Sequence, residues 1–411
     1  MPTMLMLALL GFIPLMSQPS AAQASSAYVP TEGQRIRRAI NLQNWDDGGD
    51  LTHYVYLHTS EIFPTADIHR AGPISALVEA PTPAVGAYVV KTENGRKVTL
   101  AEFVAANNGI DGIIVLHHGR VVYEAYPRMR PEDKHLLMSV TKAFVGTAVG
   151  ILEDRGKIDI HRPINDYIRE LKGTAWEGIT VRDILEMASG MEGANESYTD
   201  PADKHYQYEA SVGWQPKTPE MPESVREDDT YRYLASLKRL RNPGEAWAYT
   251  SINTEVLGWL LEEVTGKSVA QVLSDEIWAP MGAEADAQMV VSSKGVAVSH
   301  AGMVATLRDV ARFGLLFALS WNKTARTQII SDKFLQRILT QGRPDLSGQA
   351  HVAYQWDAVT KNGKFHKGGF GGQLLYIAPQ KDVVIVYFGT NKTVDDGGPR
   401  LPLGALIDSL F

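Results

Sequence analysis

A serine and a lysine three residues apart, Ser139 and Lys142, open an apolar stretch with helical spacing that Gly156 brings to an end. The pattern predicts one buried helix over residues 135–156. Residues three apart share a helix face, and a helix N-terminus offers backbone N–H groups and a partial positive charge. A hydroxyl there, with an amine one turn on, can serve as a nucleophile and its base. An N-cap serine beside a solvated lysine is the alternative that this segment alone leaves open.

The same spacing occurs a second time, at Ser320 and Lys323. This copy follows the apolar run at 315–319, so it is predicted to close a helix and not to open one. A helix C-terminus presents carbonyl oxygens and no donors for an oxyanion. Only the first copy is therefore predicted to be catalytic.

Two further stretches have residue types that suit the same chemistry. Tyr249 follows a turn sequence at 242–245 and precedes a predicted helix at 253–264, so its phenol would stand at a helix entrance. Residues 368–372 include four glycines directly before a predicted strand, which would let a substrate or another backbone approach closely. An ordinary buried tyrosine and a glycine-rich β-bulge are the respective alternatives.

Taken in order, Ser139-Val-Thr-Lys142, Tyr249-Thr-Ser251 and Lys367-Gly-Gly369 resemble the three motifs of the penicillin-recognising serine hydrolases, namely Ser-x-x-Lys, Tyr-x-Asn or Tyr-x-Ser, and Lys-Thr-Gly. The resemblance is closest to the class C β-lactamase-like branch, which includes the 6-aminohexanoate-dimer (nylon oligomer) hydrolases and related esterases. It runs from about residue 30 to the C-terminus. The fold that it implies is α/β (α+β) of the β-lactamase/transpeptidase type, an antiparallel sheet flanked by helices with an inserted helical lobe.

The resemblance also implies a mechanism. Ser139 would attack an acyl carbonyl to form an acyl-enzyme, Lys142 would accept its proton, and Tyr249 would relay that proton to the leaving group. The backbone N–H groups of Ser139 and Phe370 would form the oxyanion hole. Lys142 must be neutral to act as a base, and burial and the nearby cation of Lys367 would both lower its pKa.

The substrate-binding residues that the resemblance implies are Ser251, Lys367, Gly368, Gly369 and Tyr198. Tyr198 lies in a long polar and aromatic stretch, residues 193–229. That stretch is predicted to be a loop that covers the site and selects the substrate.

The chain departs from the family pattern at two motif positions. Ser251 stands where β-lactamases usually have Asn, and Gly368 stands where they have Thr. The Glu-x-x-Leu-Asn element of class A enzymes is also absent from the sequence. These departures favour a serine hydrolase of esters or linear amides. The alternatives are a β-lactamase or D-alanyl-D-alanine carboxypeptidase, and a non-catalytic binding protein on the same fold.

The elements that must position these residues come from both ends of the chain and from its middle. We predict a hairpin with strands at 112–117 and 120–125 around His118-Gly119, and later strands at 352–356, 374–378 and 383–388. A short strand is predicted at 54–57, helices at 100–106, 180–188, 306–317 and 403–410, and a mainly helical pattern from 157 to 320. The predicted organisation is a sheet lobe from about 25–135 and 330–411 with a helical lobe at about 136–329.

The composition excludes several classes of protein. The chain has 411 residues, 44% of them hydrophobic, and a net charge of −7, which does not favour nucleic-acid binding. It has no cysteine, so disulfide scaffolds, thiolate chemistry and cysteine metal sites are excluded. The histidines form no His-Glu-x-x-His pattern, and neither a metal nor another cofactor is predicted. The expected partner is a small ester, amide or peptide substrate, bound by a monomer or homodimer.

The N-terminus has the pattern of an export signal. Residues 5–16 are an apolar run too short to span a membrane, and Ala22-Gln23-Ala24 follows as a small-residue cleavage pattern. A basic residue before the run is missing, which departs from the usual signal peptide. Residues 1–24 are nevertheless predicted to be a signal peptide that directs the protein to the periplasm or outside the cell, with no stable membrane insertion after its removal.

Overall fold

The computed structural model describes residues 30–92, 94–106, 109–194, 196–344, 350–393 and 401–411. The predicted signal peptide lies outside these residues. The strands are β1 (Thr65–Ile68), β2 (Val78–Glu79), β3 (Val89–Lys91), β4 (Lys97–Thr99), β5 (Ile110–His117), β6 (Arg120–Ala125), β7 (Lys134–Leu136), β8 (Ala287–Val290), β9 (Met303–Thr306), β10 (Arg343–Pro344), β11 (Ala350–Ala353), β12 (Trp356–Thr360), β13 (Phe365–Gly369), β14 (Gln373–Ala378) and β15 (Val383–Gly389).

The helices are α1 (Pro30–Ala39), α2 (Gly49–Leu57), α3 (Thr59–Ile62), α4 (Pro83–Gly86), α5 (Leu100–Ala105), α6 (Thr141–Asp154), α7 (Val181–Leu185), α8 (Lys204–Ser211), α9 (Glu223–Arg226), α10 (Thr230–Ser236), α11 (Ser251–Thr265), α12 (Val269–Leu273), α13 (Leu307–Leu315), α14 (Asp332–Thr340) and α15 (Leu403–Leu410). Short 3₁₀ or π turns occur at Met138–Val140, Ile164–Asp166, Arg169–Leu171, Ser274–Trp278, Trp321–Lys323 and Pro379–Lys381. No helix within the described ranges is both long enough and apolar enough to cross a bilayer.

Strands from both ends of the chain form a sheet of nine strands in the order β10-β11-β12-β13-β14-β15-β5-β6-β2. Among the strands in the described ranges, the pair of β2 with β6 is the only parallel one in this sheet, and the two ends of the chain meet where β15 pairs antiparallel with β5. Alternate side chains of β5 and β15 pack against α13 on one face, and against α5 and α15 on the other. Because both faces are covered, these two strands are continuous apolar runs rather than alternating ones.

A second, smaller sheet positions the turn that carries Ser139. Its order is β1-β8-β9-β7, and all its pairs are antiparallel. The chain leaves β7, passes through the 3₁₀ turn at Met138–Val140 and enters α6. The Leu137 N–H donates to the Met303 carbonyl at 2.8 Å, and the Met303 N–H donates to Thr141 Oγ1 at 3.1 Å. Both ends of the turn are thus fastened to β9.

Helix α6 lies very close to the hairpin turn between β11 and β12. A Cβ atom placed on Gly146 would come within 2.2 Å of the Tyr354 carbonyl oxygen, so only glycine allows this approach. Tyr354 and Gln355 form the turn, with φ values of 47° and 71°. This contact fixes α6 against the large sheet, whose strand β13 contains Lys367.

The structure corrects four predicted elements. Residues 54–57 belong to helix α2 and do not form a strand; the helix buries Thr52 through Tyr56 on all sides, and an apolar run of this length does not distinguish a helix from a strand. The predicted strand at 352–356 is two strands joined by a turn. The predicted loop at 193–229 includes α8 and α9, and the predicted helix at 135–156 begins only at Thr141, after β7 and a 3₁₀ turn.

Other local predictions are confirmed. The hairpin around His118-Gly119 forms from β5 and β6, and α15 has the predicted bounds. The structure also shows capping boxes at the starts of α5 and α7, through Thr99 and Thr180 respectively. Gly266 ends α11 with φ at 67°.

Two of the four corrected elements, residues 54–57 and residues 193–229, lie in segments where burial and not periodicity decides the structure. The division into a sheet lobe and a helical lobe stays a prediction.

Candidate active site

Three side chains that are far apart in sequence meet at the Ser139 hydroxyl. Lys142 Nζ lies 2.9 Å from Ser139 Oγ, and the Tyr249 hydroxyl lies 3.0 Å from the same oxygen. Lys367 Nζ lies 3.4 Å from the Tyr249 hydroxyl and so extends the cluster toward β13. The three motifs therefore converge around the half-buried Ser139 hydroxyl.

The Ser139 hydroxyl is presented by a strained turn. Met138, immediately before it, adopts a left-handed φ of 47°, a conformation that non-glycine residues rarely adopt. Strain of this kind persists only where the surrounding structure holds it, and it concentrates at active sites. The turn runs directly into α6, so Ser139 lies where a helix N-terminus concentrates backbone N–H groups.

Lys142 is completely buried and donates three hydrogen bonds. Its partners are Ser139 Oγ at 2.9 Å, Ser251 Oγ at 3.0 Å and the His300 carbonyl at 3.0 Å. Burial lowers the pKa of Lys142 to about 7, helped by the charge of Lys367 and partly offset by nearby carboxylates. Near neutral pH a large share of this amine is therefore unprotonated and able to accept a proton.

Tyr249 behaves differently, because its phenol is held in the protonated form. Burial raises the pKa of Tyr249 well above its usual value, and the carboxylates of Glu196 and Asp357 raise it further. The ammonium groups of Lys142 and Lys367 lie 5.1 and 4.7 Å from the centre of its ring. A phenol in this state can donate or pass on a proton, but it does not act as a resting phenolate base.

Strand β13 lies directly against the Ser139 turn. A Cβ atom on Gly369 would come within 2.7 Å of the Leu137 carbonyl oxygen, so glycine at this position permits the contact. Phe370, whose N–H is the predicted second oxyanion donor, follows Gly369 at the end of the strand. The predicted donors Ser139 and Phe370 are thus on two segments in direct contact.

Tyr198 lies over Phe370, with the ring centres 5.6 Å apart. Its hydroxyl donates to Glu196 at 3.3 Å. The segment that carries Glu196 and Tyr198 leads into α8, which packs against α9, α10 and α11. Tyr198 itself is partly buried. Tyr198 thus lies beside Phe370, and its role in binding substrate stays a prediction.

Two of the residues predicted to bind substrate, Ser251 and Lys367, also contact other side chains of the site. The Ser251 hydroxyl accepts a hydrogen bond from Lys142. Lys367 is 1% exposed and forms an ion pair with Asp357. Both side chains therefore have partners within the protein that hold them in place beside Ser139.

Sequence reasoning missed the acidic residues around the site. Glu196 accepts the N–H of Ser251 at the start of α11, and His205 lies 3.8 Å from Glu196 and 3.2 Å from Glu209. The neighbouring carboxylates raise the pKa of His205 despite its burial. The sequence does not reveal that these groups are buried together. For Asp357 the signal in the sequence is partial, because Asn362-Gly363 indicates a hairpin. The register that brings Asp357 opposite Lys367 comes from a three-residue loop at 361–363, which the dipeptide alone does not predict.

Comparison with known proteins shows which family the sequence and the fold resemble. The model of the family described as Beta-lactamase matches residues 99–408 of the chain. A 6-aminohexanoate-dimer hydrolase from Paenarthrobacter ureafaciens is 30% identical over 356 residues, which cover 84% of this chain and 86% of that protein. Esterase EstB from Burkholderia gladioli is 28% identical over 187 residues, or 41% of this chain and 44% of the esterase.

A solved structure extends the similarity to the fold. A Bacillus anthracis protein assigned as a 6-aminohexanoate-dimer hydrolase superposes with a TM-score of 0.79 and 26% identity. The match covers 91% of this chain and 95% of that one. The predicted fold class, a β-lactamase/transpeptidase-like arrangement of mixed helices and antiparallel sheet, is confirmed.

Proposed function

Since the chain belongs to the beta-lactamase family, we propose that it is a serine hydrolase that cleaves a linear amide or an ester through an acyl-enzyme on Ser139. The observation that carries the proposal is the Ser139 oxygen, which lies within hydrogen-bond distance of an amine and a phenol at once. The similarity to a 6-aminohexanoate-dimer hydrolase supports a linear amide as substrate, and the similarity to esterase EstB supports an ester.

The proposed first step is acylation. Neutral Lys142 accepts the Ser139 proton as the serine oxygen attacks the acyl carbonyl, and the backbone N–H groups of Ser139 and Phe370 stabilise the oxyanion. The proton then passes through the Tyr249 hydroxyl to the leaving amine or alkoxide, and the acyl bond to the leaving group breaks. The Ser139 ester is the intermediate, with Lys142 again unprotonated.

The second step is deacylation by water. A water molecule gives a proton to Lys142 through Tyr249 as its oxygen attacks the Ser139 ester. Breakage of the ester bond returns the proton to Ser139 Oγ and releases the acid. Deacylation uses Tyr249, Lys142 and Ser139 in the reverse of their order in acylation. This order fits the contacts, since Lys142 and Tyr249 both lie on the Ser139 oxygen.

The experiment pairs two serines of the same local motif. Wild type, Ser139→Ala and Ser320→Ala are tested with the 6-aminohexanoate linear dimer, p-nitrophenyl butyrate and nitrocefin, and with a fluorophosphonate label. We expect wild type and Ser320→Ala to hydrolyse the amide or ester and to take up one label per chain. Ser139→Ala should do neither while remaining folded by circular dichroism.

The other outcomes separate the alternatives. Full hydrolysis by Ser139→Ala would refute the assignment of the nucleophile. Efficient nitrocefin turnover without amide or ester turnover would favour a β-lactamase or D-alanyl-D-alanine carboxypeptidase. A folded wild type that takes up no label and hydrolyses nothing would favour a non-catalytic binding protein.

Export and assembly complete the proposal. We infer from the sequence of residues 1–24 that the protein is exported to the periplasm or the medium, and that it works as a monomer or homodimer on a small substrate. Fractionation of expressing cells with N-terminal sequencing of the product tests export and cleavage after Ala24. Light scattering of the purified protein tests the state of assembly.

A further inference from the structure

Asp357 contacts two groups of β13 beside the candidate site, the Lys367 ammonium and the Gly368 N–H. One carboxylate oxygen pairs with Lys367 Nζ, and the other accepts the Gly368 N–H at 2.8 Å. Asp357 lies on β12 and faces β13 one position along from the Ala358–His366 pair. The contact is therefore fixed by the register of two strands and does not depend on a flexible loop.

The exposure of the two partners is unequal. The Lys367 side chain is 1% exposed, whereas the Asp357 side chain is 30% exposed. A buried ammonium beside a nucleophile would otherwise be a natural partner for a substrate carboxylate. Here its charge is already matched by Asp357, and the more exposed member of the pair is the carboxylate.

The residues next to this pair strengthen the same charge pattern. Gly368 has no hydroxyl to offer an anion, and a Cβ atom there would lie 3.5 Å from an Asp357 oxygen. A second carboxylate, Glu196, also acts on Tyr249, although it lies 3.8 Å from the His205 ring, and burial leaves Lys142 only partly charged near neutral pH. An anionic group bound beside Lys367 would be repelled by the Asp357 carboxylate. Lys142 is only partly charged and Lys367 is already paired, so neither lysine offsets this repulsion.

We propose that Asp357 is a specificity-determining residue that selects against substrates with a carboxylate within about five bonds of the reacting carbonyl carbon, and in favour of neutral or cationic ones. The inference rests on the proposed hydrolase function and names the class of substrate for the same site. A carboxylate at the far end of a long linear chain is outside the reach of this selection, because interactions between exposed charges weaken over about 10 Å at ordinary salt.

The test uses three aryl acetates that differ only in charge: phenyl acetate, 3-acetoxybenzoate and 3-(trimethylammonio)phenyl acetate. For the wild type we expect kcat/KM to be lowest for the anionic ester, by about tenfold or more relative to the neutral one, as expected for like charges a few ångströms apart. The cationic ester should be hydrolysed at least as fast as the neutral one. Raising the salt concentration should shrink the difference.

The variant Asp357→Asn keeps the size of the side chain and an oxygen for the Gly368 N–H, but it removes the charge. We expect kcat/KM for the anionic ester to rise about tenfold relative to the neutral ester, since Lys367 becomes available. The control is Asp332→Asn, which removes one charge from an exposed position on α14 and should leave all three ratios unchanged.

The possible results are distinguishable. Wild-type rates that are equal for the three esters, or highest for the anion, overturn the inference but not the hydrolase function, and they do so even if Asp357→Asn fails to fold. An equal loss on all three esters in Asp357→Asn also overturns it, because that is the effect of a purely structural residue. Failure of the wild type to hydrolyse any ester or amide overturns the proposed function and the inference together.

Discussion

The same four-residue spacing occurs twice in this protein, and the two copies have opposite surroundings. Ser139 stands before a helix, with an amine and a phenol on its oxygen. Ser320 follows α13, and both its hydroxyl and its N–H donate to the Asp382 carboxylate. Lys142 is buried, whereas Lys323 is exposed. The comparison teaches that the spacing brings a hydroxyl and an amine into reach, while burial and the third partner decide whether they can react.

A histidine, His118, also lies near Ser320, but the Asp382 carboxylate stands between the two side chains. Asp382 accepts from Ser320, and its Oδ2 lies 2.9 Å from His118 Nδ1. The carboxylate thus separates the hydroxyl from the imidazole, so the imidazole has no contact with the serine through which to act as its base. Asp382 itself has a φ of 52° and joins the β14–β15 connection to the hairpin turn and to the end of α13. The cluster fastens three segments together.

The two copies of the motif should differ most in the effect of replacing their lysines. Lys142→Met should lower kcat/KM by about 10³-fold or more, because the serine loses its base and the methionine fills the same buried space. Lys323→Met, the same change at the second copy, should stay within about twofold of wild type, since an exposed surface substitution has little effect. Steady-state kinetics on one ester measure both. If the two substitutions lowered kcat/KM equally, the spacing of serine and lysine would be enough for the lysine to act as a base, without burial.

Tyr249 supplies what Ser320 lacks, a proton donor on the serine oxygen. Tyr249→Phe should lower kcat/KM by about 10²-fold or more, the usual contribution of a positioned acid or base. Tyr231→Phe removes a phenol that donates to Glu262 on the outer face of α11, and it should leave the rate unchanged. A Tyr249→Phe enzyme with wild-type kinetics would remove the phenol from the mechanism and leave the amine as the only essential partner.

The first copy also depends on β13, which has no counterpart at the second. Gly369→Ala should lower kcat by about 10²-fold, because its Cβ would push the strand away from the Leu137 carbonyl and displace the predicted oxyanion donor. Gly368→Ala, one residue earlier, places a Cβ at ordinary contact distance and should cost about threefold or less. If the two alanines proved equally harmful, the close approach at Gly369 would not be the cause.

The pH dependence tests the difference in burial between the two lysines. Because the pKa of Lys142 is lowered to about 7, kcat/KM should fall about tenfold per pH unit below that value, as the amine becomes protonated and can no longer accept the Ser139 proton. Above it the rate should level off. Asp357→Asn removes a carboxylate that raises this pKa, so the acid limb should move to lower pH. A flat profile from pH 5 to 8 would contradict a lysine base.

The sequence predicted this contrast in part. The order of three short motifs identified which side chains would meet, and the position of each serine relative to its apolar run identified which copy would open a helix. The wrong elements are those where tertiary burial overrides local pattern: residues 54–57 are apolar on every side because α2 is enclosed, and residues 193–229 are polar although α8 is buried. No local pattern shows that Glu196, His205 and Glu209 are buried together.

The smallest effect belongs to the second serine, and it should appear in stability and not in rate. Asp382 is 2% exposed, so Ser320→Ala would leave its carboxylate with a lost hydrogen bond in a buried place. We expect the free energy of unfolding to fall by about 1 kcal/mol, the usual net contribution of one hydrogen bond, because the Ser320 N–H and His118 still contact the carboxylate. The ratio kcat/KM should stay at the wild-type value. Urea denaturation and the ester assay on one preparation measure both. A loss of activity without a loss of stability would assign the second copy a catalytic part and would end the contrast, because both serines would then serve the reaction.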